Sequence, residues 1–236
     1  MRVIVTCGPS YEPIDQVRRL TNFSTGEPGV HLSNHLARAG FEVFCLKGSG
    51  ATHPGPGEQC HLSLFSTNDD LLELLEQTSE TREIAAVFHV VALCDYKVRR
   101  VENAYGQDCD SPKIASRSGA LTIHLEPATK VISHLRELFP RSIVVGWKYE
   151  LAGTRADAVG KAERQIAENC THGCVVNGRA FGSGFGFCRP GQRLRERETK
   201  PELVRFLVEW IQEMVPDCPD DECVSMCANA HSSNEE

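Results

Sequence analysis

A group of polar side chains follows the first apolar segment of the chain. Val3–Cys7 has the composition of a buried strand. The loop after it offers carboxylate, guanidinium, amide and hydroxyl groups on Glu12, Asp15, Arg18, Asn22, Ser24 and Thr25. A helix is predicted to begin after Gly26, and the backbone N–H groups of its first turn favour an anion. The spacing therefore predicts a site for a carboxylate, a phosphate or an acyl phosphate at the carboxyl end of the first strand.

The same loop also has a purely structural interpretation. Ser24 or Thr25 would cap the helix that follows, and Glu12 and Asp15 would form turns. The residues alone leave both interpretations open. No Gly-x-Gly-x-x-Gly motif follows the strand, so the dinucleotide-binding fingerprint is missing.

Two further candidates follow the apolar segment Ala85–Ala92. Asp95 comes directly after it, where a carboxylate can accept hydrogen bonds from a ribose or a base, although a solvated residue leaving a strand is an equal alternative. Lys113 lies in the polar segment Tyr96–Ser118, which we interpret as a mobile flap. A flap lysine can close over a reacting phosphate or be no more than a solubilising charge.

The eleven cysteines do not have the spacing of a disulfide framework and are interpreted as free thiols. Cys170, His172 and Cys174 are the one group that resembles a metal cluster. A tight Cys-x-x-Cys pair and a fourth ligand are both missing, so we favour small buried residues at a helix-to-strand turn and predict no protein-held metal.

Composition narrows the function classes. The 25 Lys and Arg residues against 32 Asp and Glu residues give a formal charge of -7, which argues against nucleic-acid binding. Apolar runs such as Ile84–Leu93 are too short to span a bilayer, and no leader precedes the first strand, so we expect no membrane partner and a cytoplasmic location. We expect one domain over residues 1–215 and a disordered acidic tail over 216–236.

Apolar runs alternate with amphipathic segments, which is typical of an α/β fold. Further strands are predicted at Glu42–Leu46, Ile143–Trp147, Cys174–Asn177 and, after the flap, Leu121–Leu125. Helices are predicted at Pro28–Ala39, Asp69–Gln77, Thr129–Leu138, Arg155–Asn169 and Lys200–Met214. A glycine-rich turn at Phe181–Phe187 predicts a C-terminal hairpin. The expected fold is a Rossmann-like three-layer αβα architecture with a mostly parallel sheet, a flap and a C-terminal hairpin.

The opening motif resembles that of a known family. Gly-Pro-x-x-Glu-Pro-Ile-Asp-x-Val-Arg at residues 8–18, followed by Asn-x-Ser-Thr-Gly at 22–26, is similar to the start of the phosphopantothenate–cysteine ligases of coenzyme A biosynthesis. The resemblance implies catalytic roles for Asn22, Arg18 and Lys113, and substrate binding by Ser24, Thr25, Gly26 and Asn177. It implies nucleotide binding by Asp95, Trp147, Lys161, Thr129, Lys130, Val131 and Ile132.

These enzymes join phosphopantothenate to L-cysteine, and the resemblance implies CTP or ATP as co-substrate, Mg²⁺ and a homodimer. Because the chain starts directly on the first strand, we expect no flavin-dependent decarboxylase domain and no FMN. The chain departs from the family at Leu93, Cys94, Lys97, Ala115, Ser116, Lys148 and Gln165. Gln165 replaces a second family lysine on the helix of Lys161, and Lys148 is the candidate substitute.

Two other functions remain open on sequence grounds. The departures keep a non-catalytic nucleotide-binding relative possible, while intact Asn22, Asp95, Lys113 and Lys161 favour an enzyme. A Rossmann-like oxidoreductase with a nicotinamide cofactor is the second alternative, and the missing glycine fingerprint argues against it.

Overall fold

A computed structural model gives the structure of the protein and describes residues 1–117 and 119–215. Ser118, the end of the expected flap, and the expected tail at 216–236 lie outside the described residues. Within the described ranges no helix is long and apolar enough to cross a membrane.

The elements are numbered along the chain. The strands are β1 Arg2–Cys7, β2 Tyr11–Pro13, β3 Arg19–Thr21, β4 Glu42–Gly48, β5 Cys60–Phe65, β6 Ala86–His89, β7 Tyr96–Glu102, β8 Thr122–Pro127, β9 Ile143–Tyr149, β10 Gly173–Asn177, β11 Phe185–Cys188 and β12 Arg195–Arg197. The helices are α1 Glu27–Arg38, α2 Asn68–Thr81, α3 Leu135–Leu138, α4 Arg155–Asn169 and α5 Lys200–Met214, with a 3-10 turn at Val131–His134.

Eight strands form the main sheet of the described residues in the order β12-β11-β10-β9-β6-β1-β4-β5. All neighbours from β10 to β5 pair in parallel, and β11 and β12 add the expected antiparallel hairpin. Strand order reverses between β1 and β6, because α2 returns the chain from the edge strand β5 to the other side of β1. In an open α/β sheet such a switch point is where a ligand crevice forms, at the carboxyl ends of the strands.

Helices cover both faces of the sheet. On one face α1 and α5 bury Leu36 and Leu207 against β1, β6 and β9. On the other face α2, the 3-10 turn and α3 bury Leu75, Val131 and Leu135 against the same strands, and α4 covers β10. The Rossmann-like three-layer αβα prediction is confirmed.

Three helices begin where the sequence places a capping box. Thr67, Thr154 and Thr199 each accept a hydrogen bond from the backbone N–H three residues on, and the acidic residue there bonds back to the threonine N–H. The last two of these helices have the predicted bounds, Arg155–Asn169 and Lys200–Met214. Local side-chain chemistry therefore sets these boundaries.

Two elements differ from the prediction in length. The helix expected at Thr129–Leu138 is a 3-10 turn followed by one α-helical turn, and both the N–H and the hydroxyl of Ser133 bond the Lys130 carbonyl three residues earlier. The strand expected at Ala85–Ala92 ends at His89, because the chain beyond it follows the loop after β1.

The flap prediction is wrong for the first part of its segment. Tyr96–Glu102 is strand β7, and it pairs antiparallel with β8 in a separate two-stranded sheet. Four of its seven residues are charged and only Val101 is buried, so the segment lacks the apolar alternation of a buried strand. The edge strand β5 alternates apolar and polar residues but is mostly exposed, and it escaped prediction together with the three-residue strands β2 and β3.

Gly48, at the end of β4, allows the loop after β1 to approach closely. A Cβ at Gly48 would lie 2.1 Å from the carbonyl oxygen of Pro9. We expect Gly48→Ala to lower the free energy of unfolding by about 1–3 kcal/mol, since the obstacle is backbone. Urea unfolding measures this, with Gly160→Ala as the control, because Gly160 lies in α4 with nothing within 4 Å of its Cβ position and should gain up to about 1 kcal/mol. Equal behaviour of the two variants would contradict the close approach.

Candidate functional site

The loops after β1 and β6 remain joined beyond the ends of their strands. The N–H of Ser10 donates to the carbonyl of Ala92 at 3.2 Å, and the hydroxyl of Ser10 accepts from the N–H of Cys94 at 2.8 Å. Ser10 and Cys94 are buried. The two loops therefore form one floor at the switch point of the sheet.

The β2–β3 hairpin places Asn22 on this floor. The Nδ2 of Asn22 donates to the carbonyl of Leu93 at 2.6 Å, and the hydroxyl of Thr21 donates to the carbonyl of Ser10 at 2.7 Å. Asn22 is exposed, and so is Asp95, two residues after Leu93. The structure thus brings the opening loop into contact with the loop that carries Asp95.

The start of α1 lies beside the same floor and has no side-chain cap. Gly26 occupies the N-cap position with φ 81°, a left-handed conformation that favours glycine. The hydroxyl of Thr25 accepts only from the N–H of Glu27, at 3.3 Å, among the hydrogen bonds of the described residues. The interpretation of Ser24 or Thr25 as the N-cap is therefore wrong, and this helix end remains suited to an anion.

Asp15 and Arg18 join the opening loop to the segment around Lys113. The Oδ1 of Asp15 accepts from the N–H groups of Val17 and Arg18 at 2.8 and 2.7 Å, which confirms its turn-forming role. Its Oδ2 accepts from the N–H of Ile114 at 3.2 Å, and the Nη2 of Arg18 donates to the carbonyl of Ile114 at 2.5 Å. Lys113 itself is exposed.

The electrostatics of Asp15 follow from these contacts. Burial alone would raise its pKa, but the hydrogen bonds from the three backbone N–H groups and the nearby Arg18 guanidinium outweigh that effect. The pKa of Asp15 therefore lies below its ordinary value, and its side chain, 1% exposed, is ionised at neutral pH.

Glu12 is not the expected turn former, because it lies in β2 and pairs with Leu20. It is 7% exposed, and burial raises the pKa of its carboxyl despite a hydrogen bond from the backbone of Asn68. The side-chain amide of Asn68 donates to the carbonyls of Cys94 and Thr129 at 2.8 and 2.9 Å. The start of α2 thus ties the Asp95 loop to residues 129–132, a link that sequence reasoning missed.

Residues 129–132 offer mainly backbone to a ligand. The hydroxyl of Thr129 bonds a carboxylate oxygen of Asp69, and Lys130 lies 3.8 Å from a carboxylate oxygen of Glu168. The side chains of Val131 and Ile132 are buried in the core under the sheet. A nucleotide bound here would contact the backbone of these two residues.

Trp147 and Asn177 occupy the ends of the neighbouring strands β9 and β10. The indole N–H of Trp147 donates to the Oδ1 of Asn177 at 3.1 Å. The Trp147 ring packs edge-on against Phe185 with centroids 6.5 Å apart, which leaves the side chain half-buried. The hydrogen bond fixes the ring at the carboxyl edge of the sheet.

Lys161 already has an ionic partner. Its ammonium lies 2.6 Å from the Oε2 of Glu150, and Lys148 lies 3.6 Å from the Oε1 of the same carboxylate. The Glu150 side chain is 12% exposed. Lys148 is therefore beside Lys161, as the expected role of a substitute cation requires, although the sequence does not predict their shared carboxylate.

Gln165, in place of the second family lysine, has a structural role. Its Oε1 accepts from the thiol of Cys174 at 2.9 Å, and it would lie 2.7 Å from a Cβ at Gly146. The side chain therefore fills the space that the glycine leaves beneath the sheet edge. It does not extend toward solvent as a phosphate-binding cation would.

We expect Lys161→Gln to weaken nucleotide binding. If Lys161 binds phosphate, as the family resemblance implies, the dissociation constant for CTP should rise about tenfold, which corresponds to about 1.4 kcal/mol. Isothermal titration calorimetry measures it. Arg164→Gln is the matched control, because it removes one exposed positive charge from the same helix. Equal CTP affinity in the two variants would exclude a phosphate contact by Lys161.

The cluster of Cys170, His172 and Cys174 is structural in this geometry. The Nδ1 of His172 accepts from the N–H of Val144 at 3.0 Å, and burial raises the pKa of the Cys174 thiol. Across the described ranges, no group of three or more His, Cys, Asp or Glu residues has the geometry to hold a metal ion. Cys174 is buried, whereas Cys170 and His172 are partly buried.

Comparisons with known proteins agree on the family. The profile described as DNA/pantothenate metabolism flavoprotein C-terminal domain matches residues 1–205. The Coenzyme A biosynthesis bifunctional protein CoaBC of Thermococcus kodakarensis is 27% identical over 224 residues, which are 91% of this chain and 51% of that protein. The chain thus spans about half the length of the curated relatives it matches.

Solved structures have the same fold. The DNA/pantothenate metabolism flavoprotein of Streptococcus pneumoniae has a TM-score of 0.80 at 24% identity, covering 91% of this chain and 99% of that one. A Cab2 variant in complex with phosphopantothenate-cysteine has a TM-score of 0.71 at 15% identity, covering 96% and 88%. The resemblance that the opening motif indicates is confirmed, and the chain belongs to the DNA/pantothenate metabolism flavoprotein C-terminal domain family.

Proposed function

We propose that the protein is a phosphopantothenate–cysteine ligase of coenzyme A biosynthesis. The observation that carries the proposal is the contact of Asn22 with the carbonyl of Leu93 at 2.6 Å. It joins the loop proposed to hold a carboxylate to the loop of Asp95, proposed to hold a nucleotide. Relatives named for coenzyme A biosynthesis and a fold neighbour bound to phosphopantothenate-cysteine support the same reaction.

The reaction must turn a carboxylate, a poor electrophile, into an acyl group with a good leaving group. The phosphopantothenate carboxylate attacks the α-phosphorus of CTP, and pyrophosphate leaves to give an acyl-nucleotide. The amine of L-cysteine then attacks the acyl carbon, which forms the amide bond and releases CMP and a proton. Such a sequence needs one site that holds the acyl group and the nucleotide together.

On the substrate side, Asn22 donates from its amide to the carboxylate and then to the acyl phosphate. Ser24, Thr25 and the uncapped start of α1 at Gly26 offer further donors to the negative charge. Exposure of Asn22 keeps its amide accessible to substrate, and its bond to Leu93 fixes the direction of the Nδ2 group.

On the nucleotide side, Asp95 accepts from the ribose while Trp147 packs beside the nucleotide. Lys161 and the neighbouring Lys148 face the phosphates, and Lys113 offsets charge as pyrophosphate leaves. Mg²⁺ keeps most of its water and can be held largely by substrate phosphates, so such an ion would need little from the protein. When bound, Mg²⁺ would supply charge neutralisation.

We also propose that the protein forms a homodimer. Ile123 and Leu125 lie on one face of β8 and are 41% and 45% exposed. Their strand belongs to the small β7–β8 sheet, outside the main core. Two neighbouring apolar side chains on an exposed strand favour a second copy as the partner.

Pyrophosphate release tests the proposed reaction. Purified protein is incubated with CTP or ATP, with and without phosphopantothenate and L-cysteine, and the nucleotide monophosphate is measured in parallel. A ligase releases pyrophosphate only with phosphopantothenate present and forms the amide only with L-cysteine. Nucleotide binding without pyrophosphate release would indicate the non-catalytic relative, and fluorescence enhancement of NADPH on titration would indicate the oxidoreductase.

A further inference from the structure

We propose that Asp15 and Arg18 form a backbone clamp that positions Lys113 for the reaction. This inference rests on the proposed ligase function and deepens it. Sequence resemblance implies a catalytic role for Arg18. The geometry instead assigns Arg18, together with Asp15, the task of fixing the segment that carries the cationic side chain of Lys113.

The clamp holds Ile114 by both of its backbone polar groups. The Oδ2 of Asp15 accepts from the Ile114 N–H at 3.2 Å, and the Nη2 of Arg18 donates to the Ile114 carbonyl at 2.5 Å. Asp15 and Arg18 also form an ion pair at 3.4 Å. One residue of the segment is therefore held at its donor and its acceptor by a single pair of opposite charges.

Further hydrogen bonds hold the backbone on both sides of Lys113. The N–H of Gln16 donates to the carbonyl of Pro112 at 3.0 Å, and the hydroxyl of Ser111 donates to the carbonyl of Lys113 at 3.1 Å. Backbone at residues 112, 113 and 114 is thus fixed, whereas the side chain of Lys113 remains exposed. An arrangement that fixes the Cα and leaves the ammonium accessible suits a positioning device.

The same clamp lies at the tip of the β2–β3 hairpin, whose other end leads into Asn22. Asp15 bonds the N–H groups of Val17 and Arg18, so it shapes the loop that leads into β3 and Asn22. Ordering of the substrate loop and ordering of the Lys113 segment therefore share one carboxylate. We infer that the two halves of the site are coupled through Asp15.

Burial of the Ile114 side chain offers a competing explanation. Ile114 is 2% exposed, and apolar packing alone would also hold the segment. The two explanations differ in their response to Asp15→Asn. Asparagine keeps one oxygen for the Val17 and Arg18 N–H groups, but its NH₂ group then faces the Ile114 N–H and the Arg18 guanidinium, so that donors oppose donors.

Amide hydrogen exchange of Ile114 tests the clamp without any substrate. We expect exchange at Ile114 to accelerate at least tenfold in Asp15→Asn, with the core amides of β1 unchanged. Asp110→Asn is the matched control, because Asp110 is an exposed acid of the same segment. Unchanged Ile114 exchange in Asp15→Asn would overturn the clamp, whatever the activity of the protein.

Steady-state kinetics test its role in the reaction. We expect Asp15→Asn to lower kcat about 10- to 100-fold, as for a misplaced catalytic group, while KM for phosphopantothenate changes less than threefold. If Asp15 has a merely structural role, Asp15→Asn should change KM and kcat by similar factors or leave both unchanged. Either result would overturn the positioning role. Absence of ligation by the unaltered protein would instead refute the proposed function and leave the exchange result to decide the clamp.

Discussion

Asn22→Asp is expected to lower turnover by about 10²- to 10³-fold, the usual cost of losing one donor to a developing oxyanion. The replacement exchanges an amide N–H donor for a carboxylate that faces the carbonyl of Leu93 and, in the proposed mechanism, the acyl phosphate. In the structure the Nδ2 of Asn22 donates to that carbonyl at 2.6 Å. Because Asn22 is exposed, we expect the midpoint of thermal unfolding to change by only a few degrees.

Single-turnover pyrophosphate release measures the effect on the first chemical step. Asn34→Asp is the matched control, since the Oδ1 of Asn34 accepts from the N–H of Gly57 at 2.8 Å and an aspartate keeps that acceptor. The control should turn over normally. A normal rate in Asn22→Asp would exclude the proposed role of its amide, whereas an equal loss in both variants would indicate a general effect of charge.

Sequence patterns predicted the buried strands and the helices whose apolar residues recur at regular spacing. The apolar runs of β1, β4, β9 and β10 identify central parallel strands, and capping residues define α4 and α5 closely. Among the exposed strands, the alternating pattern predicts β8, whereas β2, β3 and β7 were missed because their stability comes from pairing with another strand rather than from their own side-chain pattern. β7 is the clearest case, since its charged residues belong to the segment predicted as a flap but pair with β8.

The sequence predicts which site residues lie close together only where the order of the strands determines it. Asn22 and Asp95 lie in the segments that follow the adjacent parallel strands β1 and β6, so the shared carboxyl edge predicts their proximity. Partners far apart in sequence have no such signal. The bond from Ile114 to Asp15, and the ion pair of Lys161 with Glu150, depend on how loops and helices pack in three dimensions.

The two sides of the candidate site differ in how closely they keep the family pattern. Gln165 packs against Cys174, and Lys148 and Lys161 share the carboxylate of Glu150. A bound nucleotide must compete with Glu150 for these two cations. Under the proposed function, nucleotide affinity rather than handling of the acyl group is therefore the property expected to differ from a ligase that has both lysines.

Acid is expected to destabilise the protein well above the pH at which ordinary carboxylates titrate. Burial lowers the pKa of His89 to about 4, and burial with nearby Arg136 and Arg189 lowers that of His172 to about 4. The Nδ1 of His172 accepts from the Val144 N–H at 3.0 Å, which requires an unprotonated nitrogen. Each imidazole is therefore neutral in the folded state at pH 5, whereas an unfolded histidine with a pKa near 6.5 is charged.

The sign of the effect follows from the lowered pKa values. The unfolded state binds more protons between about pH 6.5 and pH 4, so stability is complete above that range and falls as the pH decreases through it. Integration gives a loss of about 2 kcal/mol for each histidine between pH 7 and pH 5. Urea unfolding at the two pH values measures the sum, and His89→Gln and His172→Gln should each remove about half of the pH dependence.

Glu12 has the opposite effect on the pH dependence of stability, so its contribution must be measured separately from that of the histidines. Burial raises the pKa of Glu12, so the folded state binds the extra proton and this carboxyl gains stability as the pH falls through its folded pKa. Glu12→Gln removes this contribution, and the loss between pH 7 and pH 5 should then be larger than in the unaltered protein. In the Glu12→Gln background, the free energy of unfolding should still fall between pH 7 and pH 5. If it does not change, His89 and His172 are protonated inside the fold. That result would contradict the hydrogen bonds of their Nδ1 atoms with the Thr6 hydroxyl and the Val144 N–H.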